Sequence, residues 1–425
     1  MKGNHFDLIV VGGGQAGCAA ALAGARGGLS VLLIEAAGAL GGSAVNCLVT
    51  PFMPFVTKVK ENGEEKTFAL SRGIFEELHN AYKADGIYSE AKDSMDINEE
   101  TMKIVLDRKM REVGVSVLFH AKLCGVSKEG RSVKSVSIAT VGGVMEFVAD
   151  VFIDATGDAT LSAFAGVAFR LGRSTDSLCQ PMTLCFRLLN VDKEAMWKSH
   201  GEIQARYKKF QRGGKIKNPR ENVLIFDTRL PGVVHFNTTR IVKHDPTDPF
   251  SVSEAEALAR EQVLEMFRFL KENFECFRDA EMMMTASSIG VRESRMIEAR
   301  HVLTQEELVA GTHFPDGIAA GNYDIDIHSP DGSGTSHYYF PPGVFYTIPY
   351  RSLLPREFDN LVVAGRCIGA THEAQASIRI MPICVGMGEA AGTAASLAKE
   401  IHDQPADVDT DVLRARLRAN GAFVG

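Results

Sequence analysis

The chain has 425 residues, 45% of them hydrophobic and 23% charged, with a net charge of -7. These values exclude disorder and leave room for two large domains or one elaborated one. Acidic and basic residues are mixed along the chain, so no basic stripe tracks a phosphate backbone and no nucleic-acid partner is expected.

Eight cysteines, at positions 18, 47, 124, 179, 185, 276, 367 and 384, form no C-x-x-C pair of the kind that zinc or iron-sulfur sites use. Free thiols in a reducing compartment are expected. No basic segment followed by an apolar stretch and cleavage site opens the chain, and the apolar run 6–11 is too short to cross a bilayer. A soluble cytoplasmic protein without a membrane partner is the expectation.

Residues 6–11, FDLIVV, are apolar and β-branched, as a strand buried on both faces requires. Gly12, Gly14 and Gly17 follow in G-x-G-x-x-G spacing. The first glycine suits a tight turn, the second a close approach of backbone to pyrophosphate, and the third close helix–strand packing. Gln15 and Ala16 open a helix rich in alanine, and residues 29–36 read as the next parallel strand, ending in Glu35. A carboxylate there accepts hydrogen bonds from ribose hydroxyls and repels a 2′-phosphate. Strand, glycines, small-residue helix, strand and acidic end together read as a nucleotide cradle. Then comes ALGGSAVN, where Gly41 and Gly42 before Ser43 let a loop pass close to a bulky ligand.

Residues 58–96 read as a polar excursion with a helical stretch at 74–82, and a helix is expected over 98–113. A small antiparallel meander follows. It runs into VFIDATGDATLSAFAG, with Ala155, Thr156, Gly157 and Asp158 at its turn. Composition shifts over 179–284. Residues 183–191 and 232–241 look like strands of a second sheet separated by a basic loop at 208–217. Ser253, with Glu256 three residues on, reads as a capping box opening a long helix, whose apolar face is Leu258, Val263, Met266, Phe267, Leu270 and Phe274.

Further on, GVRESR concentrates Arg292, Glu293 and Arg295, a set suited to fixing the phosphates or the substrate or to forming a buried structural ion-pair network. The stretch YDIDIHSPDGSGTSHYYFPPG, 323–343, carries Asp324, Asp326, His328, His337 and Tyr338 and reads as a pocket loop. A loop presents no single face of ligands, so no metal is expected there, and His328 is taken as a proton-transfer or substrate group. Residues 361–364 read as a buried strand, Gly365 and Arg366 as its turn, and a long helix as starting near Met381 or Pro382, since proline suits a first helical turn. His372, Glu373 and Arg379 fall in the loop between that strand and helix. His372, His328, Arg292 and Arg379 are the candidate catalytic residues. Cys47 is either a thiol facing the cofactor or a small buried hydrophobe.

These motifs resemble the FAD-dependent oxidoreductases with a glutathione-reductase-type FAD domain. The pairing of GVRESRMIEARHVLTQEEL with IPYRSLLP and AGRCIGATHEAQASIRIMP is similar to the bacterial family generically called FAD-dependent oxidoreductase, some members of which are labelled xanthan lyase. The resemblance covers roughly 6–57, 95–175 and 285–400, and departs from the family's usual glycine at Asn46 and Cys47. It implies an α/β fold: a Rossmann-like FAD-binding domain with an inserted α+β substrate or cap domain. The expected division is 1–177 and 285–400 for the FAD domain, 178–284 for the cap and 401–425 for a C-terminal helical tail. FAD would lie against Gly12, Gly14, Gln15, Ala16, Gly17, Glu35, Gly41, Gly42, Ser43, Ala155, Thr156, Gly157, Asp158, Gly365, Arg366 and Met381.

No second complete glycine fingerprint is present, so electrons are expected to enter from a small-molecule substrate or an external donor, and the electron donor or acceptor is unidentified. Hydride transfer with a small polar organic molecule is the leading reading. Reduction of an activated C=C bond, as in fumarate-reductase-like enzymes, and a non-redox or RNA-modifying FAD-binding protein are the alternatives.

Overall fold

A computed structural model describes residues 3–61, 64–84, 89–91, 94–96 and 98–425; parts of the 58–96 excursion therefore lie outside the described residues. In chain order the first unit comprises β1 (His5–Val11), α1 (Gln15–Arg26), β2 (Val31–Ile34), the short α2 (Ser43–Asn46), α3 (Ile74–Ala84), α4 (Glu99–Glu112) and β3 (Ser116–Leu118). The antiparallel strands β4 (Lys122–Glu129), β5 (Ser132–Thr140) and β6 (Gly143–Asp154) follow.

β1 is the centre of the main sheet. It pairs in parallel with β2 (Leu8 opposite Val31) and with the second half of β6 (Leu8 opposite Val151), and β3 extends the β2 edge. Every residue from Leu8 to Val11 is buried, which is why this stretch is a continuous apolar run without alternation. β6 changes partner midway. Its first half carries the meander; its last residues pair in parallel with the late strand Leu361–Val363. Asn360 pins that crossing, its amide donating to the carbonyls of Val133 and Asp150.

The middle of the chain builds a separate antiparallel sheet from β7 (Phe186–Leu189), β8 (Ile225–Asp227), β9 (Val234–Phe236) and β10 (Glu281–Thr285), in the order β8-β9-β7-β10. It has its own apolar cluster, including Phe186, Phe236, Met266 and Leu270. Between β7 and β8 the first half of the expected basic loop is helix. Residues 208–212 close α5 (His200–Arg212), because Ile203 and Tyr207, one turn apart, bury that helix and leave its lysines outside. The long helix α6 (Pro249–Asn273) starts four residues earlier than expected, capped by Asp248 with proline in its first turn. Ser253 instead donates to the Pro249 carbonyl. Leu258 is exposed and Phe267 half-buried, while Ala255, Ala259 and Phe269 complete the buried stripe with Val263, Met266 and Leu270.

The chain then returns through the hairpin β11 (Ile325–His328) and β12 (Thr335–Tyr338), β13 (Leu361–Val363), α7 (His372–Ile378), α8 (Met381–Glu400) and α9 (Thr410–Ala419). The small residues of α8 pack on α1 as well as on the sheet. A Cβ at Gly388 would overlap the Ala16 carbonyl, and one at Gly392 the Ala20 carbonyl. Among the described residues no single helix is long and apolar enough to cross a membrane.

On its other side α8 buries Glu389, which accepts a hydrogen bond from the Ile74 amide (3.0 Å) and borders a cavity of about 360 Å³ with Arg26, Glu77 and Arg416. Burial pushes this carboxyl up from 4.5 to about 7. A raised carboxyl favours the fold while protonated. Its contribution is full below about pH 4.5 and is lost as pH rises through about 7, about 3 kcal/mol in all. Urea unfolding should therefore find Glu389→Gln more stable than the parent at about pH 8, with the gap closing towards pH 5. A gap independent of pH would mean that Glu389 is ionised throughout.

Candidate functional site

The turn after β1 is built by three glycines with separate tasks. Gly12 sits at φ +103, donates to the Ile34 carbonyl (2.8 Å), and leaves no room for a Cβ beside the Ala155 carbonyl. At Gly17 a Cβ would overlap the Gly12 carbonyl, so this residue sets the closeness of α1 to the strand. Gly14 is different. It caps α1 in an extended conformation (φ -71, ψ -175) with no side-chain cap, and a Cβ there would meet only the Gly42 Cα, at 3.8 Å. Nothing in the polypeptide requires glycine at 14, and the first N–H groups of α1 lack a side-chain acceptor.

The second glycine turn closes on the first. Gly41 donates to the Gly13 carbonyl (2.8 Å), and Gly42, at φ +58 and ψ -129, stands backbone to backbone with Gly14. That conformation belongs to glycine. Glu35 is buried beside them, one carboxylate oxygen accepting from the Gly13 amide (2.6 Å) and the other from the Ala37 amide (2.7 Å). Gln15 turns away from this gap, its amide meeting the Met102 sulfur at 3.2 Å. Ala16 packs against Gly365, and Ser43 begins α2.

Residues 155–158 approach from β6. Ala155 donates to the Val11 carbonyl, and the fully buried Asp154 accepts from the backbone and hydroxyl of both Thr156 and Ser162 at 2.7–3.1 Å. This hub, unsuspected in the sequence, holds the turn rigid. Asp158 pairs with Arg366 (2.7 Å), which lies across Gly157 and leaves its Nε without a partner among the described residues.

His372 is not in a loop. It opens α7, capped by Thr371, and is buried. Its Nδ1 lies 2.8 Å from Glu293, a fully buried carboxylate that also accepts from the Gln180 amide. Nε2 takes no protein partner among the described residues, and the side chain lines a cavity of about 480 Å³ with Arg173, Ile327, Ser329, Thr335 and Glu373. Gln375, fully buried, accepts from Gln180 and donates to the Arg292 carbonyl, tying α7 to the GVRESR segment.

The supposed pocket loop is a hairpin, with Asp326 opposite His337. Asp326 and His328, two residues apart on one strand, therefore share a face, contrary to the irregular presentation expected of a loop. Arg240 donates to His328 Nδ1 (2.9 Å), which makes Nε2 the protonated nitrogen, directed at Asp326 (3.3 Å). With both nitrogens engaged, and burial and Arg292 pushing its pKa down to about 3, His328 is neutral and has no atom left for a substrate proton. Arg379 reaches Asp326 at 3.5 Å, and Arg292 donates to the Pro181 carbonyl. Among the described residues no group of three or more His, Cys, Asp or Glu is placed to hold a metal ion. Cys47 is buried against Ser288 and the Ile289 carbonyl, and burial pushes its thiol up, away from thiolate reactivity.

Arg240, Arg220, Gln180 and the partnering of Glu293 with His372 were not foreseen. Only the Glu293 carboxylate, next to Arg292, had a local signal.

The family described as FAD dependent oxidoreductase matches residues 7–417. Among solved structures the chain is similar to OxyS anhydrotetracycline hydroxylase from Streptomyces rimosus (11% identity, TM-score 0.50, covering 98% of this chain and 66% of that one). It is also similar to the flavin-dependent brominase Bmp2 (14%, 0.49, 98% and 83%) and to a geranylgeranyl bacteriochlorophyll reductase-like protein from Thermoplasma acidophilum (12%, 0.48, 98% and 84%). No curated protein matches the chain. The glycine turns fit the cofactor that this family implies: open space at Gly14, an uncapped helix start and the Glu35 carboxylate offer room, N–H donors and a ribose acceptor.

Proposed function

The chain belongs to the FAD dependent oxidoreductase family and uses FAD, and we propose that it transfers a hydride between that cofactor and a small polar organic substrate. FAD, when bound, supplies the hydride acceptor or donor. The α1 N-terminus, at Gly12, Gly14, Gln15, Ala16 and Gly17, would receive the pyrophosphate, and Glu35 the ribose. Gly41, Gly42 and Ser43, residues 155–158, Gly365, Arg366 and Met381 would line the remainder. The sheet and helices of residues 178–284 would act as the cap that excludes water.

The observation that carries this reading is the Glu293–His372 pair beside a cavity of about 480 Å³. A buried carboxylate facing Nδ1 fixes the ring's orientation and tautomer and leaves Nε2 to take or give the substrate proton. Arg292 and Arg379 hold the substrate; His328 positions Arg240 and moves no proton itself.

The test is the visible spectrum of the purified protein before and after denaturation, followed by anaerobic addition of pooled polar substrates. A flavin band that bleaches with one pool is the expected result. Bleaching by dithionite alone, with reoxidation by an unsaturated acid, would replace this reading by C=C reduction.

A further inference from the structure

Four arginines from distant parts of the chain converge behind the hairpin. Arg240 is 1% exposed and Arg220 is 4% exposed. Neither lies in a helix or strand, and Gln262 of α6 clamps the Arg240 backbone through its amide and carbonyl. The Arg240 guanidinium donates to the Gly334 carbonyl (2.8 Å), to His328 and to Glu221 Oε1 (3.5 Å), yet its Nε has no partner among the described residues. Arg220 donates from Nε to Asn222 (3.2 Å) and lies 3.9 Å from Glu221, and its buried Nη1 has no partner among the described residues. Arg292 lies within reach of the charges of Arg220, Arg379 and Arg240, with Asp326 the carboxylate that opposes them.

The charges do not balance. Glu221 and Asp326 face four guanidinium groups, and Asp326 is already shared between His328, Arg379 and the Tyr323 hydroxyl (3.0 Å). Burial and mutual repulsion push Arg292 down to about 9 and Arg240 to about 10. Burying a guanidinium with a donor unused costs stability that a protein keeps only where something returns it. An anion does so, and carboxylates match the planar fork of donors. The two unused buried donors, Arg220 Nη1 and Arg240 Nε, belong to different side chains, so two spaced carboxylates meet them better than one compact anion.

We propose that Arg220, Arg240, Arg292 and Arg379 form the recognition site for an organic dicarboxylate, the substrate of the hydride transfer on whose assignment this inference rests. The cavity beside His372 shares Thr335 with this cluster, since Thr335 both lines it and accepts from Arg240 (3.2 Å).

Calorimetric titration of the FAD-loaded protein with malonate, succinate and glutarate, with succinamide as the uncharged counterpart and inorganic phosphate as the compact anion, tests it. At least one dicarboxylate should bind saturably, with the diamide and phosphate at least about tenfold weaker. Arg292→Gln should weaken that binding by at least about tenfold at unchanged flavin content. Should the variant fail to fold, the comparison of dicarboxylate with diamide on the parent protein decides. No binding in the whole series, equal binding of the diamide, or equal binding of phosphate overturns the proposal. The two readings fail separately: dicarboxylate binding to a protein without flavin removes the hydride transfer and keeps the anion site, whereas a flavin bleached by a substrate and indifferent to every dicarboxylate does the reverse.

Discussion

Gly14→Glu is expected to yield a folded, colourless protein. The backbone at Gly14 is extended and open to any residue, and its Cβ direction leads into space bounded only by Gly42 at 3.8 Å. A Cβ at this position therefore overlaps nothing, and the thermal unfolding of the flavin-free protein should be unchanged. The new side chain does enter the gap in front of the uncapped α1 N-terminus with a negative charge, where the pyrophosphate needs the same N–H groups. Flavin affinity should fall by at least about a hundredfold, or about 3 kcal/mol. Gly17→Ala gives the contrasting result. Its methyl overlaps the Gly12 carbonyl, so the strand and helix must separate and the fold itself weakens. Absorbance of the released flavin, set beside the melting curve, separates the two roles within one motif. A Gly14→Glu protein that stays fully yellow would show that the turn is structural.

The contrast also shows what a sequence can carry. The nucleotide turn was legible because every requirement there is local: strand, glycines and helix are contiguous, and Glu35 lies one βα step away. The start of α8 was legible from Pro382 for the same reason. Helix starts were misread where two local signals competed. Asp248-Pro249 outranks Ser253, since the cap accepts from the Ser251 amide and proline brings no N–H of its own to the first turn, and Thr371 caps α7 beside the chemistry of His372.

The arginine cluster was illegible for a different reason. Arg220 stands in an irregular segment, where a charged residue reads as solvated surface, and Arg240 ends the stretch 232–241 read as a strand, of which only Val234–Phe236 is one. Only the folding of the second sheet against the hairpin buries them. The same holds for the buried pair Glu99 and Arg187, 88 positions apart, which bond at 2.5 and 2.7 Å across α4 and β7.

His372→Ala carries the largest expected effect on chemistry. Once a substrate has been found by anaerobic bleaching, the first-order rate of flavin reduction at saturation should fall by about a hundredfold to ten-thousandfold, the usual contribution of a positioned acid or base. Flavin content should be unchanged, because His372 touches Glu293 and the cavity but none of the glycine turns. Glu293→Gln tests the positioning step separately. It keeps an acceptor for the Gln180 amide while removing the charge that faces Nδ1, so reduction should slow less than in His372→Ala, at unchanged flavin content. Imidazole added to the His372→Ala protein should restore part of the rate, which a purely structural loss would not allow. A normal rate in both variants would transfer the proton step to another group, and the arginines would then be the only part of this site with a claim on the substrate.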